Sequence, residues 1–384
     1  MIRRRERLEK EPDFDFDIIA PKERIVFFDI ETTGLSTKNA ALYLIGLVSY
    51  EGGAWTLTQF FAENMFEEAE LLAAFFDILN AKKKLGRVFL FSYNGDGFDI
   101  PFIKNCIRQY RLNYDFSGIV SVDLIKLIRP YKKLLGLTDC KLKTVEKLCG
   151  IFREDKYNGG ELIYVYEEYL RLAAMSEDSC EYTDMNLKLK DKLLYTLLLH
   201  NAEDIADMPF IMGIIGYEAL MKGAFNITGS GISDGCWDIR ARLDIALPEG
   251  IYAEESGLTV SIGEEDKRLL NIAVQLFNGE LKYFFADYKN YYYLPAEDYA
   301  IHKSVGEYVD RKARKQATAR TCYQKRSGVF VPQYEPVIAP AFYTDYKAQP
   351  FYGELTEYIE KNDGNIDIDI TKRYIMSVIE HLKG

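Results

Sequence analysis

Residues 24–35 read RIVFFDIETTGL, an apolar run that ends on two acids, two threonines and a glycine. On an extended strand residues i and i+2 share a face, so Asp29 and Glu31 project together while Ile30 turns the other way, toward a core. Two carboxylates that close repel one another unless positive charge lies between them. A divalent cation with a preference for hard oxygen ligands, Mg²⁺ or Mn²⁺, meets that need. Gly34 follows at once, where the backbone can turn and approach a substrate. An isolated Asp-x-Glu most often marks only a strand running out into solvent; the long apolar lead and the Thr-Thr-Gly-Leu tail make this string more specific.

The flanking text continues in the same style. ALYLIGLVSY (41–50) and AWTLTQFFA (54–62) straddle the turn Glu51-Gly52-Gly53 and extend the first strand into an antiparallel meander. FEEAELLAAFFDIL (66–79) has helical spacing and good helix formers. RVFLFSYNG (87–95) reads as a strand buried on both faces, IPFIKNCIRQYRL (100–112) as a helix with Pro101 in its first turn, and GIVSVDLIKLI (118–128) as a strand running into a helix. The order βββαβαβα predicts an α/β fold of the ribonuclease-H-like kind, a mixed sheet flanked by helices.

Two more acidic elements stand in that frame. SYNGDGFDIPF (92–102) brings a buried strand to a glycine-rich turn and then delivers Asp99 to a helix start, where the helix dipole favours an acid whatever its role. HNAED (200–204) places His200 and Asp204 four apart on one helix face. Asp123 follows a strand and precedes a helical run, which reads as a helix cap rather than a metal ligand.

Taken together, these three elements resemble the exonuclease motifs of the DEDD (DnaQ-like) 3′–5′ exonuclease superfamily, with the wording of residues 123–170 and of HNAED similar to its YprB-like ribonuclease-H-type branch. The resemblance covers residues 24–215. It implies that Asp29, Glu31, Asp99 and Asp204 hold two Mg²⁺ or Mn²⁺ ions. It puts His200 in the slot of the residue that activates water, although many relatives have Tyr four residues before the last Asp, or His five before, and here His stands four before. It lays Thr32, Thr33, Gly34 and Leu35 against the terminal nucleotide, with Asn94 as a candidate for a backbone contact. The implied activity is metal-dependent 3′–5′ exonuclease cleavage of single-stranded DNA or RNA. Two alternatives use the same scaffold: a non-catalytic nucleic-acid-binding protein, and a ribonuclease-H-type endonuclease.

At 384 residues the chain is long enough for two domains. With 48% hydrophobic and 28% charged residues it has a globular composition, and no apolar run reaches the roughly 18 residues of a membrane helix. The start, MIRRRERLEK, lacks the apolar segment of a secretory signal. Six cysteines without a CxxC pair fit reduced thiols in the cytoplasm. The expected division is a flexible lead (1–22), a ribonuclease-H-like domain (23–228) and an α+β accessory domain (229–384), with GSGISDG (229–235) as linker. Residues 131–190 read as mostly helical, Lys190 to Lys222 as one long helix kinked at Pro209, and Asn278-Gly279 as a hairpin turn.

A net charge of −11 opposes general nucleic-acid binding, yet residues 302–326 hold eight Lys or Arg against two acids. Tyrosines 288, 291, 292, 293, 299, 308 and 323 lie before or within this stretch. Cations beside aromatic rings suit phosphate and base contacts, which makes Lys312, Arg314 and Lys315 candidate substrate-binding residues. A solvated helix face with core tyrosines is the bland counterpart of that reading.

Overall fold

A computed structural model describes residues 1–153, 159–175, 184–263, 266–356 and 367–383. The chain divides into two compact units, residues 1–132 with 137–214, and residues 133–136 with 215–384.

The first unit is built on a six-stranded mixed sheet. Its strands are β1 (Ile2–Arg7), β2 (Ile25–Thr32), β3 (Leu42–Glu51), β4 (Ala54–Phe61), β5 (Val88–Ser92) and β6 (Ile119–Asp123), in the spatial order β1-β4-β3-β2-β5-β6. β2, β3 and β4 form the expected antiparallel meander, while β5 runs parallel to β2 and β6 parallel to β5. The helices are α1 (Glu68–Lys83), α2 (Asp99–Gln109), α3 (Leu124–Ile128), α4 (Leu142–Leu148), α5 (Gly159–Ala173) and α6 (Asp184–Ala206). Because β2 and β5 point the same way, Glu31 and the turn after Ser92 emerge at one edge of the sheet. One continuous core joins Val26, Phe28 and Ile30 of β2 to Leu71, Phe75 and Phe76 of α1, Phe102 of α2, Tyr166 of α5 and Leu197 of α6. This is the ribonuclease-H-like arrangement that the strand and helix order predicts.

Three expectations for this unit need correction. Residues 1–22 are not a loose lead. β1 pairs with β4 along its whole length, Arg3 lies over the Phe60 ring, Arg5 pairs with Glu51, and Phe16 is fully buried among aromatic rings. The arginine-rich text hid an edge strand, whose cationic side chains are those that sheet edges tolerate. The long helix stops at Ala206 instead of bending at Pro209. A 3₁₀ stretch, Met208–Ile214, intervenes before α7 (Ile215–Met221), because proline removes a helix donor and clashes with the preceding turn. The division of the chain falls there too, and not at GSGISDG, which lies within and just beyond a strand and leads into the tight turn at Asp234-Gly235. Parts of the 131–190 stretch, and Cys180, lie outside the described residues.

The second unit is β-rich. β7 (Phe225–Ser233), β8 (Cys236–Leu243), β9 (Tyr252–Glu255), β10 (Leu258–Ile262) and β11 (Leu269–Gln275) make one antiparallel sheet. β12 (Phe277–Phe284), β16 (Tyr323–Gln333), β17 (Ala341–Phe342) and β18 (Phe351–Glu354) make a second. β13 (Tyr291–Leu294), β14 (Tyr299–His302) and β15 (Lys315–Gln316) make a third, small one. A short α8 (Lys303–Gly306) follows β14, and the amphipathic α9 (Ile368–Lys383) packs Tyr374 against Trp237. Asn278-Gly279 sits inside β12, paired with Val329 and Gly328, so it is no hairpin turn. Among the described residues no helix is long and apolar enough to cross a membrane.

Candidate metal centre

β2 supplies the first two acids. Asp29 stands opposite Gly46 of β3 and Glu31 opposite Leu44, and the ladder shifts register between Glu31 and Thr32, where the strand leaves the sheet. Such a bulge at a strand end re-aims the side chains beside it. The turn after β5 supplies the third. Asp123, at the end of β6, accepts from the amide nitrogens of Asn94 (2.7 Å) and Asp96 (3.3 Å), and it caps α3 through Ile125 N. Asn94 adopts a left-handed φ of 66° to complete the turn. The chain then enters α2 with Asp99 as its first residue, whose Oδ1 accepts from the backbone N–H of Ile30 at 3.1 Å. The hydrogen bond ties the helix start directly to the strand between the first two acids.

α6 supplies the rest. His200 Nε2 lies 3.6 Å from Glu31 Oε1 and 3.7 Å from Asp204 Oδ2, and ligand atoms of these three residues fall within 4.8 Å of one another. Asn201, fully buried beside them, donates its amide to Asp29 Oδ2 at 3.1 Å and accepts from Gln59 Nε2 at 2.9 Å. α6 can come this near only because β3 carries Gly46 at the crossing. A Cβ there would lie 2.1 Å from Asn201 Oδ1 and 2.1 Å from Ile205 Cδ1.

Burial and mutual repulsion act on these carboxyls. Burial, then the charges of Asp99, Glu31 and Asp204, drive the Asp29 carboxyl well above the ordinary carboxylate range, with the Asn201 amide pulling the other way. Burial pushes Asp99 up to about 7; the Ile30 amide opposes this, and the charges of Asp123 and Asp204 add to it. The positive side chain at the cluster is Arg153, whose guanidinium pairs with Asp204 Oδ1 and with both oxygens of Glu146. All-oxygen acids plus one imidazole, packed until one carboxyl resists ionisation, form a donor set suited to hard divalent cations. Among the described residues, Glu31, His200 and Asp204 form the group whose ligand atoms come together, with Asp29 and Asp99 tied in beside them.

Other expected contacts are accounted for differently. The Thr32 hydroxyl donates to Gly34 O (2.8 Å) and the Thr33 hydroxyl accepts from Ala41 N (2.8 Å), so both shape the loop after β2. Leu35 stands 86% exposed at its tip. Lys312, Arg314 and Lys315 belong to the second unit. Lys312 and Lys315 are exposed, but Arg314 sits over the Tyr292 ring and donates to Gly306 O. Lys325 pairs with Asp298, and Arg326 with Glu354. Several of the nearby tyrosines are structural: Tyr293 and Tyr323 both donate to Asp298, and Tyr291 stacks on Phe285. Gln59, Gly46 and Asn201 were not singled out in the sequence, yet a glutamine and a glycine inside apolar strands signal a polar partner and a close approach. Glu146 and Arg153 carried no such signal.

A family model described as the RNase_H superfamily matches residues 26–215. No curated protein matches the chain. Solved structures with similarity include exonuclease I (13% identical, covering 62% of this chain and 54% of that one, TM-score 0.29) and the zinc-bound E. coli exonuclease I–single-stranded DNA complex (14%, 62% and 54%, 0.28). A product-bound exonuclease I is 12% identical over 65% of this chain and 64% of that one, with a TM-score of 0.28. The chain thus spans about half the length of the first two.

Proposed function

We propose that the chain is a divalent-metal-dependent nuclease that hydrolyses phosphodiester bonds of single-stranded DNA or RNA from the 3′ end. The observation that supports this reading is the approach of Glu31, His200 and Asp204 within 4.8 Å of one another, with Asn201 bonded to Asp29 and the Ile30 amide bonded to Asp99 alongside. Buried carboxylates gathered this closely favour a bound cation. Mg²⁺ or Mn²⁺ ions held there would supply neutralisation of the charge that develops in phosphodiester hydrolysis.

The protein's own residues do the remaining work. Asn201, itself held by Gln59, keeps Asp29 turned inward. The Ile30 amide fixes Asp99. His200, an imidazole between Glu31 and Asp204, is placed to take a proton from the attacking water. Exposed Leu35 and the loop it tops would meet the terminal nucleotide. Free thiols at all five described cysteines support a reducing, cytoplasmic setting.

The test is product length on matched 3′- and 5′-labelled DNA and RNA strands, with Mn²⁺ or Mg²⁺ and with chelator. Metal-dependent release of mononucleotides from the 3′ end, lost in Asp29→Asn, supports the proposal. Internal fragments would make it an endonuclease instead, and cleavage that survives Asp29→Asn would rule the site out.

A further inference from the structure

Arg153 lies just beyond α4, its side chain only 4% exposed, and it bridges two carboxylates. Its Nε and Nη2 donate to the two oxygens of Glu146, a side chain 1% exposed on α4, while Nη1 donates to Asp204 Oδ1. The planar guanidinium thus uses one edge as a bidentate fork on Glu146 and presents its remaining donor to Asp204. The two oxygens of Asp204 are thereby separated in role. Oδ1 is taken by Arg153, and Oδ2 faces His200 Nε2 at 3.7 Å, inside the group formed with Glu31. Rotation about the last side-chain torsion of an aspartate is soft, so without such a partner the carboxylate could swing or offer both oxygens.

We infer that Arg153, anchored by Glu146, is a positioning residue. It fixes Asp204 as a single-oxygen metal ligand and brings a built-in positive charge to the cluster. The inference rests on the metal-centre reading above. Groups that hold a ligand from behind are worth about 10–100-fold in metal affinity.

The experiment is Mn²⁺ binding to the full-length protein, followed by electron paramagnetic resonance of the free ion, beside steady-state cleavage. Arg153→Met should weaken Mn²⁺ binding by about 10-fold or more, lower kcat at limiting Mn²⁺, leave KM for the strand nearly unchanged, and recover rate as Mn²⁺ is raised. Glu146→Gln, which keeps the guanidinium but loosens its anchor, should shift Mn²⁺ affinity the same way by a smaller factor. The double variant should be no worse than Arg153→Met alone. If Arg153→Met fails to fold, Glu146→Gln and Arg153→Lys carry the test, because lysine cannot reproduce the fork and should also weaken Mn²⁺ binding. Unchanged or tighter Mn²⁺ binding in the variants, with wild type binding normally, overturns the positioning role alone. A wild type that binds no Mn²⁺ overturns the metal-centre reading and this inference with it.

Discussion

Asp99 is a buried acid whose ionisation should cost the fold stability. Its carboxyl, pushed up to about 7 in the folded chain, would titrate near 3.9 when unfolded. A raised folded-state value favours folding at low pH and costs stability as pH rises through 7. With chelator present, Asp99→Asn keeps an oxygen for the Ile30 amide and removes the buried charge. It should therefore raise the melting temperature at pH 8 by a few degrees, on the order of 1 kcal/mol or more, and change it little at pH 4.5. Saturating Mn²⁺ should reverse the order, since wild type gains from binding and the variant gains less. Equal melting temperatures of the two proteins at pH 8 in chelator would mean that Asp99 carries no such burden. Asp29, also raised, by burial first and then by its neighbours' charges, predicts the same sign for Asp29→Asn.

At the scale of elements, the decisive contact is α6 against β3. The register sets Gly46 opposite Asp29, and the missing side chain lets Asn201 and Ile205 settle onto the sheet. Gly46→Ala would place a methyl 2.1 Å from both, inside a core with no slack. It should cost about 1–3 kcal/mol by urea denaturation and should abolish cleavage even in molecules that remain folded, because α6 carries His200, Asn201 and Asp204 together. Gly231→Ala on β7, where a methyl meets nothing within 4 Å, is the matched control and should leave cleavage unchanged. Loss of stability without loss of activity in Gly46→Ala would show that α6 can shift while the site survives. Elements of this kind also mark how far the sequence could be read. Apolar runs such as RIVFFDIE and helical spacing such as FEEAELLAAFF name their own structure, because burial on a face is a local pattern. The four acids could be found because each sits in such an element: Asp29 and Glu31 in β2, Asp99 first in α2, Asp204 in the last turn of α6. The N-terminal strand could not, since arginines on a sheet edge look like a solvated tail. Nor could the Glu146–Arg153 pair, since its meaning lies entirely in which carboxylate the guanidinium reaches across the fold.

For the whole molecule, the proposed nuclease activity raises the question of how a chain with a net charge of −11 would recruit a polyanion. The second unit holds the basic stretch, but pairing thins it: Lys325, Arg326 and Arg314 are engaged with Asp298, Glu354 and the Tyr292 ring. Arg311, Lys312, Lys315 and Arg320 are the exposed cations that remain, with Tyr308 91% exposed nearby in sequence. Each phosphate neutralised on a single strand contributes about 0.7 to the slope of log affinity against log salt. Reversing Arg311, Lys312 and Lys315 to Glu should therefore weaken binding of a long single strand and flatten that slope by about 2. Arg314 is left alone in this variant, because its contacts with Gly306 and Tyr292 belong to the fold. Hydrolysis of a dinucleotide, too short to need an anchor beyond the cleavage site, should be unaffected. The readout is a salt titration of fluorescence anisotropy with the Asp29→Asn protein, so that the probe stays intact. An unaltered slope would mean that the second unit's cations serve solubility alone and that the first unit recruits the strand without help.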